Sequence, residues 1–155
     1  MSSVAVVGLG KLGLPLAVQF ASKEFQVVGV DIDAQAVQKV NRGQSPVLHE
    51  DGLRPKLQRA VQLGKLTATV DFASPIRLAD VVVVVVPLLM NQVNQPDFRT
   101  LDDAVKAIGS NLTPGTLVIV ETTLPIGTTR RRLKPILERS SGLEEGIDFN
   151  LVYST

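Results

Sequence analysis

The apolar run Val4-Ala5-Val6-Val7 leads straight into Gly8-Leu9-Gly10-Lys11-Leu12-Gly13, with glycine at the first, third and sixth positions. No other stretch restricts the fold so tightly. A short apolar run closed by glycine reads as a strand buried on both faces. Residues 12–24 then read as a helix, because Leu12, Leu16 and Phe20 recur on one face with Ala17 on its flank. Pro15 fits if it lies in the first turn, where a missing N–H removes no hydrogen bond. A second strand is expected over 26–30, ending at Asp31. Strand, glycine turn, helix and strand together make one unit of a parallel sheet.

The alternation continues to the end of the chain. Asp33 is placed to cap a helix that runs to Arg42 and stops at Gly43. Residues 44–50 read as a loop, 51–63 as a helix with Pro55 in its first turn, and 66–70 as a strand. Ser74 and Pro75 open a brief helix. The valine run 81–86 reads as a fully buried strand, and 91–99 as a polar loop. A helix over 100–108, a turn at Pro114-Gly115, a strand over 117–120, a helix over 128–139 kinked at Pro135, and a strand over 149–153 complete the pattern. The fold class expected is α/β, a doubly wound parallel sheet in three αβα layers. The strand order expected is 3-2-1-4-5-6.

Composition narrows the function classes. The chain of 155 residues is 45% hydrophobic and 20% charged, an ordinary globular balance for one domain. Lys plus Arg is 16 against 15 for Asp plus Glu, so no net field favours nucleic acid or an anionic membrane. No apolar run approaches the roughly 20 residues of a membrane helix. The N-terminus lacks a basic segment ahead of an apolar one, so a cytoplasmic location is expected. There is no cysteine and one histidine, His49. Thiolate zinc sites and cysteine nucleophiles within this chain are thereby excluded, and no metal is expected.

The glycine motif carries the chemistry. Gly8 permits a tight turn, Gly10 lets a pyrophosphate approach the backbone, and Gly13 lets helix and strand pack closely. The helix N-terminus offers free N–H groups and a positive dipole end to phosphates. Asp31, at the end of the second strand, is placed to accept hydrogen bonds from ribose hydroxyls and to repel a 2′-phosphate. The sequence thus describes a Rossmann-type NAD-binding domain, with NAD favoured over NADP. Thr122 and Thr123 can also be read as β-branched residues ending a strand. Thr128 can be read as a helix cap, and Pro87 as a strand terminator.

The order of several motifs resembles the UDP-glucose/GDP-mannose dehydrogenase family along essentially the whole chain. They are Gly8 to Ala17; Val30-Asp31-Ile32-Asp33; Val40-Asn41-Arg42-Gly43; Gly64 to Thr69; Glu121-Thr122-Thr123-Leu124-Pro125-Ile126-Gly127-Thr128-Thr129; and Gly146 to Ser154. The resemblance implies oxidation of a nucleotide-sugar 6-hydroxyl to a carboxylate with two NAD, through thioester chemistry on a cysteine that lies beyond this chain. It places Gly8, Gly10, Lys11, Leu12 and Gly13 at the pyrophosphate and Asp31 at the adenosine ribose. It sets Val86 and Pro87 beside the cofactor, and Thr122 and Thr123 near the nicotinamide ribose. Thr123 falls where the family has a threonine that helps to hold the catalytic water. Lys11-Leu12 stands for the family's Tyr-Val, Leu88-Leu89 for its Thr-Pro, Thr122 for Ser, and Ala36 for a basic residue near the adenosine ribose.

On this resemblance residues 1–155 are an NAD-binding domain without the family's central helix and substrate-binding domain. The full-length enzyme is expected to be a homo-oligomer, and this piece a monomer that binds NAD without turnover. Two other readings stay open: a free-standing NAD-binding regulatory module, and a dehydrogenase of the 2-hydroxyacid or 6-phosphogluconate type.

Overall fold

A computed structural model describes residues 2–47 and 52–154. The loop residues His49 and Glu50, the expected helix start at Asp51, and Thr155 lie outside them. The described residues form one parallel sheet from β1 (Ser3–Val7), β2 (Gln26–Val30), β3 (Leu66–Thr69), β4 (Val81–Val84), β7 (Leu117–Val120) and β8 (Asn150–Tyr153). Its order, β3-β2-β1-β4-β7-β8, is the expected 3-2-1-4-5-6 with a small hairpin set aside. The hairpin is β5 (Leu89–Met90) and β6 (Pro96–Asp97). β1 is central: Val4 pairs with Val27 on one side and Val81 on the other.

Alternation along β1 divides the core. Val4 and Val6 face α1 (Gly13–Ser22), α2 (Ala34–Asn41) and α3 (Leu53–Gln62), packing with Leu14, Val40 and Leu57. Ala5 and Val7 face the opposite way. Their neighbours are Ile76 of α4 (Ala73–Leu78), Leu101 and Ile108 of α5 (Arg99–Gly109), and Leu137 of α6 (Lys134–Ser141). A strand buried on both faces must be apolar at every position, which is why the valine runs carry no alternation. Each fully buried Val or Leu contributes about 1.5–3 kcal/mol. The starts of β1 and β4 are tied by polar groups. The Ser3 N–H donates to Asp80 Oδ2 at 2.7 Å, and the Asp80 N–H donates to Ser3 Oγ at 3.1 Å. The Ser3 backbone N–H, then its hydroxyl, hold the Asp80 carboxyl below its usual range.

Three details differ from what the sequence predicts. The strand expected over 81–86 ends at Val84, with Val85 and Val86 beyond it. The polar stretch 91–99 is not wholly irregular, since part of it closes the hairpin. Asn91 Oδ1 accepts from the N–H groups of Val93 and Gln95 at 3.0 and 2.9 Å, and Asn94 turns with φ +55°. Two-residue strands are too short to show a period of two, so no hydrophobic pattern announces them. The kink expected at Pro135 takes the form of a wide π turn over Thr129–Leu133 that runs into α6. Pro135 has no N–H for an α-helical bond to the preceding turn, and the wider turn leaves room for its ring.

Candidate functional site at the carboxyl end of the sheet

The direction of the winding reverses between β1 and β4, and chain leaves their carboxyl ends in opposite directions. A crevice opens there in doubly wound sheets. The glycine turn enters it from β1. Gly8 stands at φ +99°, and a Cβ on it would lie 2.9 Å from the Val85 carbonyl oxygen. A Cβ on Gly13 would collide with the Gly8 carbonyl oxygen. Both positions are glycine because the protein itself fills the space. Gly10 differs: an added Cβ meets nothing within 4 Å. Its missing side chain leaves open room directly over the turn.

The start of α1 adjoins that room. α1 begins without a side-chain cap and without an acidic residue in its first turn. Among the described residues, the N–H groups of Gly10, Lys11, Leu12 and Gly13 have no protein acceptor. Lys11 and Leu12 are exposed, Leu12 to 69%. Unpaired amides at the positive end of a helix dipole form a phosphate-binding arrangement.

Asp31 is held in place by the same turn. The Leu9 N–H donates to Asp31 Oδ2 at 2.7 Å, and the Asp33 N–H donates to Oδ1 at 2.9 Å. A carboxylate oxygen has two acceptor sites, so each keeps one for a ribose hydroxyl. The Leu9 side chain is buried over β2, where a Cβ on Gly29 would lie 2.6 Å from Leu9 Cδ2. Gly29 thus anchors the tip of the turn. Its signal in the sequence, a glycine inside a valine-rich strand, marks close approach by another segment.

Two clefts flank the turn and meet at Pro87. One, of about 600 Å³, lies toward β2 and is lined by Asp31, Ile32, Phe72 and Val86, with Thr100 and Asp103 of α5. Its wall has two carboxylates and no cation among the described residues, consistent with Ala36 in place of a basic residue. The other, of about 430 Å³, lies toward β7 and is lined by Lys11, Leu12, Pro87, Leu88, Thr122 and Thr123. Thr122 is buried and donates from Oγ1 to the Val86 carbonyl at 2.7 Å, joining the exits of β7 and β4. Thr123 is exposed at the mouth. The Leu124 N–H donates to the Tyr153 hydroxyl at 3.2 Å, so β8 braces the segment that carries both threonines. Every residue selected from the sequence, Gly8 to Gly13, Asp31, Val86, Pro87, Thr122 and Thr123, lies at this end of the sheet. The α5 contribution was missed, since those residues belong to an otherwise ordinary amphipathic helix.

Parallel sheet, glycine turn, open helix N-terminus and fixed carboxylate together define a Rossmann-type dinucleotide-binding domain. The model of the UDP-glucose/GDP-mannose dehydrogenase family, NAD binding domain, matches residues 2–155. The chain belongs to that family, and the cofactor of the domain is NAD. It is 34% identical over 151 residues to UDP-N-acetyl-D-mannosamine dehydrogenase of Pyrococcus horikoshii, covering 97% of this chain and 35% of the relative. It is 34% identical over 152 residues to GDP-mannose 6-dehydrogenase of Pseudomonas syringae pv. syringae, covering 96% and 34%. The solved structure of NDP-N-acetyl-D-galactosaminuronic acid dehydrogenase from Methanosarcina mazei Go1 superposes with a TM-score of 0.92 at 34% identity, covering 100% and 35%. The chain spans about a third of the length of these relatives.

Proposed function

We propose that this chain is the cofactor-binding part of a nucleotide-sugar 6-dehydrogenase, an enzyme that oxidises a sugar 6-hydroxyl to a carboxylate with two NAD. The observation that carries this reading is the open space at Gly10. It lies between unpaired helix amides and a fixed Asp31, with one cleft on each side for the two halves of a dinucleotide. NAD supplies hydride acceptance when bound; the protein supplies position and electrostatics.

In this reading the amides of Gly10 to Gly13 hold the pyrophosphate, and Asp31 takes the adenosine ribose hydroxyls. Val86 and Pro87 form the ridge over which the dinucleotide bends. Thr122 fixes that ridge through its bond to the Val86 carbonyl and offers its remaining lone pairs to the nicotinamide ribose. Thr123, exposed at the mouth, is assigned the holding of the catalytic water. The chain has no cysteine, so covalent capture of the oxidised sugar requires residues outside these 155. The nucleotide sugar is then a partner of the longer enzyme, expected as a homo-oligomer, and this chain alone is expected as a monomer.

The test separates binding from turnover. Incubated with NAD and a set of UDP- and GDP-sugars, the purified chain is expected to bind NAD by calorimetry and to form no NADH. Steady NADH formation by this chain alone would contradict the division of labour proposed here. Absence of NAD binding would contradict the cofactor assignment.

A further inference from the structure

One wall of the β2-side cleft is a single stripe of α5. Thr100, Asp103, Ala104 and Ala107 all line it, and their spacing of i, i+3, i+4 and i+7 is one helical face. The stripe is narrow at the alanines and polar at its N-terminal half. Across from it lie the apolar side chains of Ile32, Phe72 and Val86. The cleft, of about 600 Å³, thus combines a small-residue helix face with apolar side chains, a lining that can take an aromatic base.

The carboxylates of this cleft, Asp31 and Asp103, and those at and just before the start of α5 are not equivalent. Asp102 is committed to Arg132 by hydrogen bonds of 2.8 and 2.6 Å. Asp97 is committed to Arg99. Asp31 has both oxygens engaged by backbone N–H groups and stands at the glycine turn. Asp103 is exposed and has no hydrogen-bond or ion-pair partner among the described residues. An ionised carboxylate only accepts hydrogen bonds, so it selects for a donor on whatever fills the cleft.

We propose that Asp103 reads the base of the dinucleotide, accepting a hydrogen bond from the exocyclic amine of adenine. This rests on the NAD-binding reading above, because that reading puts the adenosine half in this cleft. The ribose is held at Asp31 and the ring lies between α5 and Phe72. The amine is the donor on adenine that the matching position of hypoxanthine lacks. Hypoxanthine carries a carbonyl oxygen there, which would face the Asp103 carboxylate as acceptor against acceptor. Asp103 is thereby a specificity-determining residue for the cofactor.

The experiment is calorimetric titration of the intact chain, Asp103→Ala and Asp103→Asn with NAD and with its hypoxanthine analogue. A hydrogen bond to a charged group is worth enough for the unaltered chain to prefer NAD by about tenfold or more. Asp103→Ala is expected to bring the two ligands within about twofold of each other, the preference having lost its source. Asp103→Asn is expected to move the preference toward hypoxanthine, since the Asn amide can donate to the ring carbonyl. Asp103 is exposed, and circular dichroism melting checks that the variants fold. Equal binding of both dinucleotides by the unaltered chain would overturn the assignment of Asp103 while leaving NAD binding intact. So would an undiminished preference in Asp103→Ala. Failure of the unaltered chain to bind either ligand would overturn both readings.

Discussion

At Gly13 a Cβ would collide with the Gly8 carbonyl oxygen, whereas at Gly10 it would meet nothing within 4 Å. A side chain therefore has different consequences at two glycines three residues apart. Gly13→Ala is expected to destabilise the fold by about 1–3 kcal/mol, as overpacking at a rigid contact does. Urea denaturation would read this as a lower midpoint. Gly10→Val is expected to leave the midpoint nearly unchanged and to abolish NAD binding in calorimetry. Equal loss of stability in both variants would contradict the distinction. Asp31→Ala removes the ribose acceptor and the partner of the Leu9 N–H. It is expected to weaken NAD at least about tenfold, the scale of a lost hydrogen bond to a charged group. The sequence carried these residues legibly, because glycine and acidic residues at a strand end have few other uses together. Asp103 was not legible, since one carboxylate on a helix ordinarily faces solvent and only the folded arrangement sets it at the edge of the cleft.

Among the elements, the segment leading into α6 is tied to α5 by one side chain. Arg132 pairs with Asp102 through two hydrogen bonds and lies 4.4 Å from the centroid of the Phe98 ring. Both charged groups are partly exposed, so the pair is screened. Arg132→Ala is expected to cost about 1 kcal/mol, measured by urea denaturation, with the cation–π contact included. In the hairpin, the side-chain hydrogen bond from Arg99, then its backbone N–H, hold Asp97 at about 2 against an ordinary 3.8. A depressed carboxylate favours the folded hairpin above the ordinary value, and that contribution disappears as pH falls from about 3.8 to about 2. NMR titration of the Asp97 carboxyl is expected to show a midpoint near 2 that moves toward the ordinary value in Arg99→Ala. The long elements were readable from apolar runs and helical spacing. The hairpin was not, because Asn91 closes it with side-chain bonds and its strands are too short for a pattern. Pro135 announced a disturbance, but whether a proline gives a bend or a wide turn depends on how the helix docks against α5.

For the molecule as a whole, the strand order places every candidate residue at one end of one sheet. β1 and β2 bring the glycine turn to Asp31; β4 and β7 bring Pro87 to Thr122 and Thr123. The alternation of strand and helix was enough to read this architecture, because crossover handedness leaves few topologies for such a pattern. The two clefts were not readable, since their volumes depend on how the helices pack and on where Leu9 seats over Gly29. The β2-side cleft presents two carboxylates and no cation among the described residues, so an added phosphate on the adenosine ribose would meet like charge. That arrangement is proposed to hold NAD. Calorimetric titration of the purified chain with NAD and, separately, with NADP tests it most directly. Saturable binding of NAD, with NADP weaker by about tenfold or more, is the predicted result. Binding of NADP as tight as NAD, or binding of neither, would contradict it.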